Sequence, residues 1–330
     1  MNYLGIDTSA YTTSLAVVTE KKELIWESRQ VLKVAVGETG LAQSTAFFQH
    51  VQNLPKQIKT IPRYLWESLG GIGVSSSPRP VQGSYMPVFT AGISLATALA
   101  AARGIPLIKT SHQEGHIAAG YSSAAGPEAE YFLAVHLSGG TTELLLVKRL
   151  EPGQLSIELL GGTTDLHAGQ FVDRVGVRLG LPFPAGKALE VIARQAEPGT
   201  ASLLPSAVRG LKVSFSGVES AAQRLIAQGT APANVARAVE GCLVRTMTKL
   251  ISRGFELTGL GQVLMVGGVA ANQYIRSELD RRLHKQGELF WGEPDWCRDN
   301  AIGVAVLTGE SCNADSGLVV VKQKNRQQTD

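Results

Sequence analysis

Several functions are excluded by what the chain lacks. Three cysteines in 330 residues, Cys242, Cys297 and Cys312, form an odd and sparse set. They exclude a disulfide framework and fit a reducing cytosol. None is followed by another at the spacing of a P-C-x-x-C zinc half-site, so the second half of a zinc-deaminase signature is missing. The N-terminus MNYLGIDTS lacks the basic-then-apolar layout of a signal peptide. The longest uncharged, apolar-leaning run, residues 85 to 102, is broken by Pro87, Thr90, Gly92, Ser94 and Thr97, and reads as a buried helix rather than a membrane span. The net charge of +3 is too small to announce a nucleic-acid protein and leaves room only for a local basic patch. A soluble, cytoplasmic protein without membrane association is expected.

What is present is apolar residues and glycine. Hydrophobic residues make up 44% and charged residues 18% of a chain long enough for two domains with proper cores. Glycine, at 36 of 330 residues, stands at about 11% against a usual ~7%. Much of the excess is paired, at Gly70-Gly71, Gly139-Gly140, Gly161-Gly162 and Gly267-Gly268. Such pairs mark backbone turned tightly toward a ligand, or ordinary turns.

The chain also repeats itself. YLGIDTSAYTTSLAVVTEKKELIWESRQ and YFLAVHLSGGTTELLLVKRLEPGQLSIELLG both read as a three-stranded meander with a polar first turn. A shift of 129 residues lays Leu4 on Leu133, Ile6 on Val135, Leu15 on Leu144, Ser9 on Ser138 and Thr12-Thr13 on Thr141-Thr142. A duplicated meander of this kind predicts two similar α/β domains facing each other across a cleft. The division falls at 1–110 plus 301–330 for the first and 111–300 for the second. Helices are predicted over 88–103 (ended by Gly104), 170–180, 187–196, 232–258, the segment after QVLMVGG, and DNAIGVAVLTGES. The polar tail VKQKNRQQTD is expected to be mobile.

Three short stretches carry the chemistry. SHQEGH places His112 and His116 at i and i+4, where both imidazoles can reach one ion. Gln113 stands where a zinc protease needs its general-base glutamate, which argues against a metallopeptidase. Two histidines leave the choice open between a metal site and two polar side chains sharing a helix face. MVGGVAANQ is strand, double glycine and helix, with Gly267 and Gly268 letting a ring or phosphate approach and Asn272 within reach of a base or ribose. LSGGTTE offers successive backbone N–H groups to a phosphate.

These stretches, with others in the same order, resemble the tRNA threonylcarbamoyladenosine transferases, once labelled glycoproteases, within the actin and sugar-kinase superfamily. GIDTS opens the first strand; SHQEGH is similar to H-x-E-G-H, and LSGGTT to V-S-G-G-H-T. AGQFVDRVGVRLGLPFPAGKALE is similar to A-G-E-A-F-D-K followed by L-G-L-x-Y-P-G-G, and VSFSGVES to F-S-F-S-G-L-K. GGVAAN matches G-G-V-A-A-N, and CRDNAIGVA is similar to C-T-D-N-A-A-M-I-A. The resemblance implies two actin/sugar-kinase-like (ribonuclease H-like) α/β domains around a nucleotide-binding cleft. It implies one divalent metal ion, iron or zinc, on His112, His116 and Asp299. The implied nucleotide contacts are Leu137, Ser138, Gly139, Gly140, Thr141, Asp173, Gly186, Glu190, Gly267, Gly268 and Asn272. The implied donor is an adenine nucleotide, threonylcarbamoyl-AMP, and the acceptor N6 of the adenine beside the anticodon of tRNA. Implied partners are a related actin-like paralogue and a small ATPase.

The chain departs from the pattern at Tyr11 and Thr12, where the family has an acidic pair, and at Thr141, where it has histidine. Leu166 replaces the second of two aspartates, and Gln170 a glutamate. The segment SSSPRPVQGSYMP, with Arg79 and two prolines before its end, stands in place of a small G-P-G loop. These changes predict a diverged paralogue. Its alternatives are a nucleotide-holding scaffold or regulator, and a carbamoyltransferase with another acceptor. Arg79, Arg209, Lys212 and Arg298 are the cations nearest the motifs and the expected grip on RNA phosphates.

Overall fold

The structure, a computed structural model, describes residues 1–9, 11–34, 41–297 and 301–326, with backbone alone for 315–326. The chain divides into two units. Unit 1 is Met1–Ser123, Arg149–Ser156 and Trp296–Asp330; unit 2 is Ala124–Lys148 and Ile157–Asp295.

Unit 1 opens with β1 (Asn2–Thr8), β2 (Thr12–Thr19) and β3 (Leu24–Val31). It continues through α1 (Gln43–Ile58), α2 (Arg63–Glu67), β4 (Leu69–Ser77), α3 (Phe89–Arg103), β5 (Leu107–Ser111) and α4 (His112–Ser123). The second meander is β6 (Tyr131–Leu137), β7 (Thr142–Arg149) and β8 (Leu155–Thr163). Unit 2 then adds α5 (Ala168–Arg178), α6 (Gly186–Ala193), β9 (Val208–Arg209), β10 (Lys212–Val213), α7 (Ser216–Ala227) and α8 (Pro232–Thr258). It closes with β11 (Gln262–Val266), α9 (Gln273–Leu283) and β12 (Glu288–Trp291), before α10 (Ile302–Arg326) returns the chain to unit 1.

The two sheets have the same plan. Unit 1 orders its strands β3-β2-β1-β4-β5, and unit 2 orders β8-β7-β6-β11-β12 with the β10-β9 hairpin added beyond β8. In each, the first two strands are antiparallel, and the two that follow in space run parallel to the first. The register repeats as well. Leu4 faces Val17, Ile6 faces Leu15 and Thr8 faces Thr13; 129 residues on, Leu133 faces Leu146, Val135 faces Leu144 and Leu137 faces Thr142. The repeat seen in the sequence is a repeat of hydrogen-bonded pairs. Central β1, β2 and β6 are buried almost end to end and read as apolar runs, whereas edge strand β3 alternates.

Each unit has its own core. Leu4, Ile6, Leu15, Val17, Ile72 and Val74 pack against α1 and α3 residues such as Leu54, Ala96 and Ala100. Unit 2 is organised around α8, whose Val235, Val239, Cys242, Met247, Leu250 and Ile251 are fully buried. Pro232 in its first turn and left-handed Gly259 after its last bound this helix where the apolar periodicity predicts.

Some expectations are corrected. Helix α4 belongs with unit 1, not with the domain starting at residue 111. It follows β5 without a loop and packs closely on α10, where a Cβ on Gly303 would lie 1.8 Å from the Gly115 carbonyl oxygen. The tail is not all loop, since α10 runs to Arg326, and residues 327–330 lie outside the described residues. Helix α1 is an addition to the predicted helices. No described helix is long and apolar enough to cross a membrane.

Candidate functional site

The histidine pair is built by the start of α4. The Ser111 hydroxyl accepts from the Glu114 N–H at 3.2 Å, and the Glu114 carboxylate accepts from the Ser111 N–H at 2.7 Å. This reciprocal capping box, with a further bond from Thr110 at 3.1 Å, employs the carboxylate that lies between the histidines. Glu114 is a helix cap. The capped first turn leaves His112 and His116 on one face, with their Nε2 atoms 3.0 Å apart and the rings edge to face. Behind them, Asp7 at the end of β1, fully buried, places Oδ1 3.1 Å from His112 Nδ1. A carboxylate only accepts, so Nδ1 carries the proton and the His112 Nε2 lone pair faces His116. Two imidazole nitrogens this close can each sit about 2.0–2.1 Å from one ion. The donor chemistry and the convergence therefore fit a metal for two ligands of the expected three. Asp299, and with it Arg298, lies outside the described residues. Among the described residues no three His, Cys, Asp or Glu side chains converge as a metal site.

Unit 2 holds the expected nucleotide contacts, and the structure sorts them. The β6–β7 turn is closed by a bond from Ser138 N–H to the Thr141 carbonyl at 2.8 Å, and its Ser138 carbonyl accepts from Gly169 N–H at 3.0 Å. Gly139 and Gly140 face open space, where an added Cβ would touch nothing within 4 Å. Gly267 is explained by the fold. It has φ of +101°, and a Cβ there would lie 2.2 Å from the carbonyl oxygen of buried Leu137. Gly268 and Gly186, in contrast, are open. Asn272 caps α9, its Oδ1 accepting from Ile275 N–H at 2.9 Å, while its Nδ2 donates to Glu240 Oε1 at 2.7 Å. Asp173 accepts from Ala185 N–H at 2.7 Å, and burial raises its pKa. Glu190 accepts from Gln273 N–H at 3.1 Å. Each of these acids spends one oxygen on the backbone and keeps a second.

The other paired glycines are packing devices. A Cβ on Gly71 would lie 2.7 Å from Cys312 Sγ, and one on Gly161 would lie 2.4 Å from the Leu211 carbonyl oxygen. The open pairs and the packed pairs look alike in sequence.

A model of the TsaD family, tRNA N6-adenosine threonylcarbamoyltransferase, matches residues 40–306. The chain belongs to this family. Among solved structures it is similar to the activator of the 2-hydroxyisocaproyl-CoA dehydratase from Clostridium difficile with bound ADPNP, at 14% identity and TM-score 0.53, over 96% of this chain and 97% of that one. It is similar to a ROK family glucokinase from Streptomyces griseus in complex with glucose and AMPPNP, at 13% identity and TM-score 0.51, covering 93% and 99%. HypF of T. kodakarensis matches at 15% identity and TM-score 0.57, with 96% of this chain covering 48% of that one. At such identities the likeness shows the fold, an α/β fold of the actin-like ATPase and sugar-kinase kind. Family membership gives the class, a carbamoyl-type transferase.

Within the TsaD family pattern, the departures are absorbed locally. Leu166 is buried in the unit 2 core, where an unpaired acid would be costly. Gln170 accepts from His167 N–H at 3.1 Å at the start of α5, a bond that needs an acceptor and no charge. Asp165, the acid retained beside Leu166, clamps the start of α7 through Ser214 Oγ at 2.6 Å, Phe215 N–H at 3.0 Å and Ser216 N–H at 3.2 Å. Burial would raise its pKa, but these donors outweigh it and hold the carboxyl well below the usual range. Sequence reasoning missed Asp7, which acts on a side chain 105 residues away. The capping role of Glu114 had a signal in S-x-x-E.

Proposed function

We propose that this protein transfers a threonylcarbamoyl group from threonylcarbamoyl-AMP to N6 of the adenine beside the anticodon of tRNA, with His112, His116 and Asp299 holding one iron or zinc ion. The observation that carries this is the 3.0 Å approach of two Nε2 atoms aligned by a buried carboxylate, in a chain of the TsaD family. In the reaction the N6 amine attacks the carbonyl carbon of the mixed anhydride. A C–N bond forms, the C–O bond to phosphate breaks, AMP leaves with the electron pair, and one amine proton passes to solvent. A bound ion would supply Lewis-acid polarisation of a donor oxygen.

The chain's own residues bind and orient. Asp7 fixes the tautomer and direction of His112. The Gly139-Gly140 turn exposes backbone to a phosphate, open Gly268 admits the adenosine half, and the second oxygens of Asp173 and Glu190 accept from ribose hydroxyls. Positioning and electrostatics then provide most of the rate. For RNA, Arg209 and Lys212 stand directly opposite each other in the β9–β10 hairpin, both exposed. Two like charges placed so repel, and a phosphodiester between them relieves the repulsion. The related actin-like paralogue and the small ATPase are the expected partner proteins.

A scaffold or another acceptor is the second reading, favoured by Leu166 standing where the family pattern has an acid. Reconstitution separates the two. Threonine, bicarbonate, ATP, a donor-forming synthase, the partner proteins and unmodified tRNA should give the modified nucleoside by mass spectrometry, and His116→Ala should abolish it. Nucleotide binding without product, beside a working control enzyme, would transfer the conclusion to the second reading.

A further inference from the structure

We infer that Glu240 is a positioning residue for the adenosine-binding turn of unit 2: from within α8 it fixes the amide of Asn272, and through Asn272 the turn 267–272. This rests on the nucleotide reading above. Glu240 is 1% exposed and sits among apolar neighbours in the N-terminal half of α8. A carboxylate accepts and cannot donate, so Asn272 must turn Nδ2 toward Glu240, at 2.7 Å. That leaves Asn272 Oδ1 facing the other way, where it accepts from Ile275 N–H at 2.9 Å and caps α9. The flipped amide would set oxygen against carboxylate and NH2 against N–H. One buried acid thus decides which way the cap points.

The turn itself depends on that cap. Asn272 N–H donates to the Val269 carbonyl at 3.2 Å, and Ala270 N–H to the Gly267 carbonyl at 3.1 Å, closing the loop around the open Gly268. On its other side Glu240 Oε2 lies 2.8 Å from Arg237 Nη1, an ion pair in which neither atom makes a hydrogen bond. The Arg237 guanidinium lies 3.8 Å over the Tyr274 ring and donates to the Ala193 carbonyl at 2.9 Å. From α6, Glu190 and Arg194 also bear on Glu240, with Glu190 accepting from Gln273 N–H beside the cap. Burial, and then Glu190, raise the Glu240 pKa to about 7, against the opposing pull of Asn272 and Arg237. Protonation removes the charge that holds the Arg237 guanidinium at Oε2 and so loosens the support under Tyr274.

The test is AMP affinity by calorimetry from pH 6 to 8.5, with thermal melts confirming the fold of each variant. Wild type should bind AMP about tenfold more tightly at pH 8 than at pH 6, within the range for coupled neighbours. Glu240→Gln should keep only the small dependence that the AMP phosphate, itself titrating at about pH 6, gives both proteins. Asn272→Asp keeps a good helix cap but sets two acids face to face, so that Glu240 must hold a proton to higher pH, and binding should weaken as pH rises, by about tenfold at pH 8.5. Adding Glu240→Gln to Asn272→Asp should restore most of the loss, because the new amide on α8 donates to the new carboxylate, whose other oxygen still caps α9. If Glu240→Gln matches wild type at every pH and does not rescue Asn272→Asp, the inference is overturned while the nucleotide reading stands. If wild type binds no AMP at any pH, the nucleotide reading falls and takes the inference with it.

Discussion

The β1–β2 turn and the β6–β7 turn occupy the same place in two sheets of the same register, yet they are held by different means. In unit 1 the turn is propped by side chains from α1. Buried His50 Nε2 contacts the Ser9 carbonyl at 2.9 Å, so that nitrogen carries the proton, and His50 Nδ1 accepts from the Thr13 hydroxyl at 2.8 Å. Asn53 and Gln57 reach Thr13 from the same helix, at 3.3 and 3.1 Å. In unit 2 the turn is closed by its own backbone and carries glycines that face open space. A duplicated hairpin has kept its strand pairing while one copy is filled with side chains and the other is left bare. The bare copy is the one suited to a phosphate.

The largest effect should come from filling glycines that the two units use differently. Gly303→Ala forces a methyl into the Gly115 carbonyl and the backbone of Ala119, and overpacking two helices at backbone contact costs about 3 kcal/mol or more. Gly140→Ala meets nothing, so its stability should stay within about 0.5 kcal/mol of wild type while AMP binding weakens. Urea melts and calorimetry on the two variants check both halves. Equal destabilisation by both would show that openness at Gly140 has another origin.

Next comes the support behind the histidines. Asp7→Asn should lower metal affinity by about 10–100-fold, the usual cost of losing the carboxylate behind a metal-bound imidazole. Elemental analysis after dialysis against a graded chelator reads this out, with His116→Ala as the variant that empties the site. Metal content unchanged in both would remove the site.

How much of this could be read from the sequence depends on whether a feature is local. The strands, the register and α8 were legible because apolar spacing records burial directly, and S-x-x-T-T marked equivalent turns. His112 and His116 were legible as neighbours four apart. Helix α1 was not, because the residues it buries include His50, Asn53 and Gln57, so its inner face reads as polar. Asp7 and Glu240 act through contacts 105 and 32 residues away, and no local pattern records such a distance. Asn272 stood out as a ligand contact, whereas its position three residues before Ile275 makes it a cap first. Gly70-Gly71 and Gly139-Gly140 cannot be told apart until the neighbour, or its absence, is seen.

The propped turn gives a smaller effect. His50→Gln cannot serve both Ser9 and Thr13, and leaving buried polar groups without partners should cost about 1–3 kcal/mol by urea melt. The loss should be confined to stability, with AMP affinity unchanged, since the turn proposed to receive phosphate is in unit 2. Weakened AMP binding in a folded His50→Gln protein would show that the unit 1 turn also serves the nucleotide.

The smallest effect separates the units by the sign of a pH dependence. Each has a buried group that is more stable neutral, but one is a base and the other an acid. Burial lowers the His50 pKa below 6.5, despite the Ser9 carbonyl and Asp7 pulling it up. Between that lowered value and 6.5 the unfolded chain binds more protons, so the stability His50 contributes is present above pH 6.5 and lost as pH falls. Glu240 has the opposite sign. With its pKa raised from 4.5 to about 7, the folded chain holds the proton more tightly, so its contribution is full below pH 4.5 and lost as pH rises through 7. Glu240→Gln should therefore gain on wild type between pH 5 and 8, by a shift in Tm of about 2–4 °C for each kcal/mol. The advantage of wild type over His50→Gln should instead shrink as pH falls from 7.5 to 5. Difference curves of the same sign for the two variants would mean that the pKa of one of these groups is shifted the other way on folding, and the buried contacts assigned to it would have to be redrawn.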